Sequence, residues 1–129
     1  MGTYIGSPSN LEDEKVLKAI IRSVTSGGFN VIDTAINYRF MKAERTVGLA
    51  LQILENDYKI YRDELFVSSK IGYIPEDADR AITLQQYIEN LVKNDIITPE
   101  DVVGEVHCMK PKYLEHQIDA SLKNLNCET

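Results

Sequence analysis

Cysteine is scarce: the 129 residues hold two thiols, Cys108 and Cys127. Two cysteines make no disulfide framework, and no C-x-x-C pair marks a zinc or redox site, so the composition predicts inert thiols in a reducing, cytoplasmic compartment. No run approaches the roughly 20 apolar residues of a membrane span. Met1-Gly2-Thr3-Tyr4 also lacks the basic start and apolar core of a signal peptide. Positive charge is short as well. With 14 Lys and Arg against 20 Asp and Glu, the formal charge is -6, which argues against binding phosphate backbones and makes nucleic acid an unlikely partner. Nothing repeats at a solenoid period, and no segment is of low complexity.

What remains is ordinary for a soluble domain with a real core: 43% hydrophobic and 26% charged residues. Ser9 and Asn10 can cap a helix whose apolar residues Leu17, Ile20, Ile21 and Val24 recur at helical spacing, with Gly27-Gly28 as its stop. Phe29-Asn30-Val31-Ile32 reads as a short strand ending at Asp33. From Ala43, the residues Val47, Ala50, Leu51 and Leu54 share a helical face, and Glu55-Asn56-Asp57 ends the pattern before Leu65-Phe66-Val67-Ser68-Ser69 resumes strand character. Helix, strand, helix, strand is the order of βαβ units on a parallel sheet.

Residues 73–106 interrupt that alternation and are expected to be an insertion on the outside. Leu84, Tyr87, Ile88, Leu91 and Val92 lie at helical intervals there, more suited to a packing face than to a groove. Thr98-Pro99-Glu100-Asp101 has the form of a second helix start. Lys110-Pro111 then opens a helix with Leu114, Ile118, Ser121, Leu122 and Leu125 on one side. The Glu12-Asp13-Glu14 run reads as a first helical turn favoured by the macrodipole, and no metal site is indicated.

Three side chains carry the chemistry. Asp33 lies at the carboxyl end of one predicted strand, Lys70 at the carboxyl end of the next, and Tyr38 in the loop between. Active sites of parallel α/β barrels lie at that end, and neighbouring strands about 4.8 Å apart let Asp33 and Lys70 pair while Tyr38 folds over them. Carbonyl reduction by hydride also needs a proton. A phenol donates poorly while its pKa stays near 10, and an adjacent ammonium, held by a carboxylate, corrects that. Taken alone, an Asp or Lys at a strand end is more often a solvated charge or a cap.

Gly28 through Tyr38, with Asp-Thr-Ala and the following Tyr in register, resembles the first signature of the aldo-keto reductase family. Gly2-Thr3-Tyr4-Ile5-Gly6 is similar to the end of that family's first barrel strand, and Ala43 to Leu51 resembles the helix after its catalytic tyrosine. Lys70 falls on the catalytic lysine, and Cys108-Met109-Lys110-Pro111 through Leu125 looks like the third barrel helix. Dispersed matches in the right order are more specific than one short motif.

The resemblance implies a partial (β/α)8 TIM barrel, the first three βα units plus the 73–106 insertion. It also implies hydride transfer between NADPH and a small aldehyde or ketone, with Tyr38 as proton donor and Lys70 and Asp33 tuning it. Gly2, Thr3, Tyr4 and Asp33 are implied to flank the nicotinamide. The family's catalytic His follows a fourth strand, and neither His107 nor His116 matches it. A whole barrel needs about 250 residues, so these 129 are expected to stop before that strand and to turn over little alone. Two other outcomes stay open. One is a non-catalytic binding protein on the same fold, similar to potassium-channel β subunits; the other is a degenerate fragment without independent function. Exposed strand edges favour self-association.

Overall fold

The computed structural model describes residues 1–128. Helix α1, Asn10–Thr25, begins where Ser9 accepts the Glu12 N–H on its hydroxyl, and the chain leaves it through Gly27 at a φ of 71°. Strand β1 is Val31–Asp33 and helix α2 Lys42–Tyr58. Strand β2, Phe66–Ser68, follows a single 3-10 turn, and α3, Leu84–Lys93, and α4, Pro111–Leu125, complete the regular elements. Strands β1 and β2 pair in parallel with Val31 opposite Phe66 and Asp33 opposite Ser68. Gly2 makes one further parallel bridge to Asp33 on the other side of β1. The expected first strand is therefore present only as that contact.

Two cores form. In the first, Ile20 and Val24 of α1 and Val47, Ala50, Leu51 and Leu54 of α2 close over Ile32 of β1, with Leu65 and Leu125 beside them. Each of these large side chains contributes about 1.5–3 kcal/mol by leaving water. The second joins Ile74, Leu91 and Ile97 to Cys108 and to Tyr113 at the start of α4. The segment that carries α3 is pinned at its base by an antiparallel bridge between Tyr73 and His107 and by the Cys108 N–H bonded to the Gly72 carbonyl at 2.9 Å. As expected, the apolar stripe from Leu84 to Val92 is a packing face, spent on this second core.

Several boundaries differ from the sequence reading. The first strand of the sheet is shifted two residues on, to Val31–Asp33, and leaves Phe29 exposed. Helix α2 runs through Glu55-Asn56-Asp57 to Tyr58, because polar residues on a solvent face do not stop a helix; Lys59, at a φ of 57°, does. Thr98-Pro99-Glu100-Asp101 closes only a 3-10 turn. There the Asp101 carboxylate takes the Thr98 N–H at 2.7 Å, and the chain then turns through Gly104 to bridge Val103 with His107.

Helix α4 is rotated by about one residue from the expected face. Its buried side is Tyr113, Gln117, Ser121 and Leu125, while Ile118 is 45% exposed. A polar residue wins the inner position because its amide is used twice: Gln117 accepts the Gly72 N–H at 2.5 Å and donates to the Tyr73 carbonyl. No helix among the described residues is long and apolar enough to cross a membrane.

Candidate active site

Side chains alternate along a strand, so the register of Asp33 with Ser68 puts Lys70, two residues beyond Ser68, on the same face of the sheet as Asp33. The two meet. Lys70 Nζ lies 2.8 and 2.9 Å from the Asp33 carboxylate oxygens and 3.0 Å from the Thr34 carbonyl. Burial alone would lower the Lys70 pKa, but its hydrogen bonds to Asp33, with Tyr38 beside it, outweigh that and hold it above the ordinary lysine value. A tight turn, with the Tyr38 N–H on the Ala35 carbonyl at 3.1 Å, brings the Tyr38 ring back over this pair, its centroid 4.9 Å from Lys70 Nζ.

The N-terminal segment completes the cluster. Asp33 gives its N–H to the Met1 carbonyl at 2.8 Å, and its carbonyl takes the Thr3 N–H at 3.0 Å and the Thr3 hydroxyl at 3.2 Å. That places Tyr4 edge-on to Tyr38, with ring centroids 5.0 Å apart. Thr3 is buried and its hydroxyl is occupied, so what it offers the site is a fixed backbone. Gly2 faces open space, with nothing within 4 Å of where a Cβ would stand, and Tyr4 is 68% exposed.

The structure thus brings Asp33, Tyr38, Lys70, Thr3 and Tyr4 to one end of one sheet, beside Gly2. The histidines lie elsewhere. His107 stacks edge-on with Tyr73 at 5.2 Å, and His116 is on α4, facing Arg45 and Asp77 across a cleft of about 270 Å³. Burial holds His116 below the ordinary histidine value. Among the described residues no group of three or more His, Cys, Asp or Glu is arranged to hold a metal ion.

A family model for the aldo/keto reductase family matches residues 1–129. The chain belongs to the aldo/keto reductase family. No curated protein matches it significantly. Family membership brings an expectation of NAD(P)H and of small carbonyl substrates. The residues present suit the ring end of such a cofactor: Gly2 opens an uncrowded stretch of backbone and Tyr4 an exposed aromatic edge, both next to the Asp33–Lys70 pair.

Sequence reasoning missed the groups behind the Asp33–Tyr38–Lys70 cluster. Arg39, Phe40 and Met41, directly after Tyr38, are three successive non-glycine residues in the left-handed region, at φ 49°, 55° and 69°. Each costs about 1–2 kcal/mol against the right-handed form. The Arg39 and Lys42 side chains are 1% and 7% exposed and share the Asp13 carboxylate at 2.6 and 2.8 Å. By sequence alone Asp13 is only part of a favourable first turn of α1. Buried Glu44 takes the Ser69 hydroxyl at 2.6 Å and the Asn124 amide at 2.9 Å, joining α2 to the end of β2 and to α4. The one available signal was three cations, Arg39, Lys42 and Arg45, at the border of a loop and a largely apolar helix face.

Proposed function

We propose that this chain forms the first three βα units of a TIM-barrel carbonyl reductase, with residues 73–106 as an insertion, acting on an aldehyde or ketone with NADPH. The observation that carries this is the Lys70 ammonium, held at 2.8 Å by Asp33 and set against the Tyr38 ring. NADPH, when bound, supplies the hydride to the carbonyl carbon. Gly2 and Tyr4 would flank its nicotinamide, and Thr3 holds the Asp33 backbone that would line the same end.

Tyr38 gives its phenolic proton to the carbonyl oxygen as negative charge builds there. Lys70 stabilises the charge left on the phenol oxygen, and Asp33 keeps the ammonium in place. A positioned proton donor contributes about 10²–10⁴ in rate. These 129 residues bind cofactor weakly and turn over little by themselves, since the Tyr38 cluster stands half-exposed at the end of a two-stranded sheet and, among the described residues, no histidine approaches it to orient a carbonyl. The free thiols Cys108 and Cys127 suit a cytoplasmic location.

The test is a titration of NADPH into isotopically labelled chain, with oxidation of NADPH by 4-nitrobenzaldehyde followed in parallel. Resonances of Gly2, Tyr4 and Asp33 should shift with weak affinity, and Tyr38→Phe should abolish whatever turnover is seen. Unmoved resonances, or turnover that survives Tyr38→Phe, would overturn the assignment. Sub-micromolar binding with ordinary turnover would overturn the claim of low activity alone.

A further inference from the structure

We propose that Asp13 is a positioning residue for Tyr38: by bridging two buried cations it holds the left-handed turn 39–41 that sets where the Tyr38 ring stands. The functional part of this rests on the reading of Tyr38 as proton donor; the structural part does not.

Helix α2 does not specify its own start. Its cap residue, Met41, makes no side-chain capping bond, and its first residue, Lys42, is a cation at the end of a helix that favours anions. Outside contacts supply what is missing. Lys42 Nζ is held by Asp13 at 2.8 Å, Asp79 at 2.7 Å and the Asn10 side chain at 3.1 Å. Arg39 reaches the other oxygen of Asp13 at 2.6 Å and the Thr46 hydroxyl at 3.3 Å.

Between these two cations the Phe40 carbonyl takes the Ala78 N–H at 3.2 Å, and in that same loop Asp77 and Asp79 hold Arg45 at 2.7 and 2.5 Å. The turn is gripped by α1 on one side and by the 77–82 loop on the other. Left-handed residues that lack glycine persist where their surroundings over-determine them. Tyr38 is bracketed by this device, since its N–H bonds to Ala35 at 3.1 Å and its carbonyl accepts the Ala43 N–H, at the start of α2, at 3.3 Å. A change of φ at residues 39–41 swings that carbonyl and takes the ring away from Lys70 and Tyr4. Asp13 touches neither substrate nor cofactor; it acts through Arg39 and Lys42.

The experiment follows the ring-to-ring nuclear Overhauser effect between Tyr4 and Tyr38 in the full chain, beside thermal melting, for Asp13→Asn, Phe40→Gly and the double variant. Asp13→Asn should weaken the effect at least twofold at temperatures where the chain remains folded. Phe40→Gly should preserve it. The double variant should recover it, because glycine holds the left-handed conformation without the network; a role confined to general stability gives no such rescue. Should Asp13→Asn fail to fold, Arg39→Gln, which releases the Asp13 grip on the turn while leaving Asp13 on Lys42, is expected to give a smaller loss of the same signal.

An undiminished effect in Asp13→Asn, or in Arg39→Gln where Asp13→Asn does not fold, or no recovery in the double variant, overturns the proposal. The two readings separate cleanly. A displaced ring with carbonyl reduction unchanged sinks the proton-donor role and leaves the positioning role standing, while a fixed ring in Asp13→Asn does the reverse.

Discussion

Replacing Gly48 with alanine should destabilise the protein, against the expectation from helix propensity. Gly48 lies within α2, where alanine is intrinsically favoured over glycine by about 1 kcal/mol. A Cβ at that position would stand 2.8 Å from the Leu125 carbonyl carbon and 3.0 Å from its Cα, with the Asn124 carbonyl oxygen nearer still. These are backbone atoms and cannot swing aside, so α4 must move away by about 1 Å to restore ordinary contact. That movement loosens Leu125 against Val47 and Leu51 in the main core.

Overpacking of this kind costs about 1–3 kcal/mol, and a rigid obstacle puts Gly48→Ala at the upper end. After the gain in propensity, a net loss of about 2 kcal/mol remains, a fall in Tm of about 6–12 °C for a chain of this size. Thermal melting by far-UV circular dichroism measures it. Gly28→Ala is the control, since a Cβ there meets its nearest atom at 3.5 Å, an ordinary contact. A Gly48→Ala protein that melts at or above the parent temperature would refute the claim that α2 and α4 approach through that glycine.

Lys70→Met should cut any carbonyl reduction by about 10²-fold or more while leaving melting almost unchanged, because the Lys70–Asp33 pair is half-exposed and such pairs contribute about 0–1 kcal/mol; a matching loss of stability would assign the lysine to folding instead. Burial alone would raise Asp77 and Asp79, but Arg45 with Arg80 holds Asp77, and Lys42 with Arg45 holds Asp79, below the ordinary 3.8, so their stabilisation is present at neutral pH and drains away as pH falls below about 4. Burial pushes the Tyr87 and Tyr113 phenols above 10.0, so stability is kept below pH 10 and lost as pH rises past it, when the unfolded chain ionises first. Urea midpoints across the pH range should fall at both ends, and a shallower acid limb in an Asp77→Asn/Asp79→Asn variant checks the first. Phe66, 66% exposed on β2, and Val31 beside it leave an apolar sheet face, so sedimentation should show concentration-dependent self-association that Phe66→Lys reduces.

The pairing of Asp33 with Lys70 was legible because a strand has only two faces: once both residues lie at the carboxyl ends of neighbouring strands at matching parity, their meeting follows from geometry. Helix α1 was legible from its Ser9 cap and apolar spacing, and α3 from the helical spacing of Leu84, Tyr87, Ile88, Leu91 and Val92. The buried face of α4 was not. Leu114, Ile118 and Leu122 are the more apolar stripe, yet Tyr113 and Gln117 turn inward, because the Gly72-Tyr73 backbone arriving from 40 or more positions away needs their hydrogen bonds. The turn after Tyr38 was hidden as well, because no local signal announces three left-handed residues without a glycine.

By itself, then, the sequence determined the order of helices and strands, the parallel pairing and the acid, phenol and amine that converge at one sheet end, all of which depend on local caps and on strict periodicity. Only the tertiary structure decided which face of α4 is buried, how Asp13 is divided between Arg39 and Lys42, and how Glu44 ties Ser69 to Asn124. Those choices turn on buried polar groups that must find partners wherever the chain brings them, and the energy of satisfying such groups is a property of distant neighbours, not of spacing along the chain.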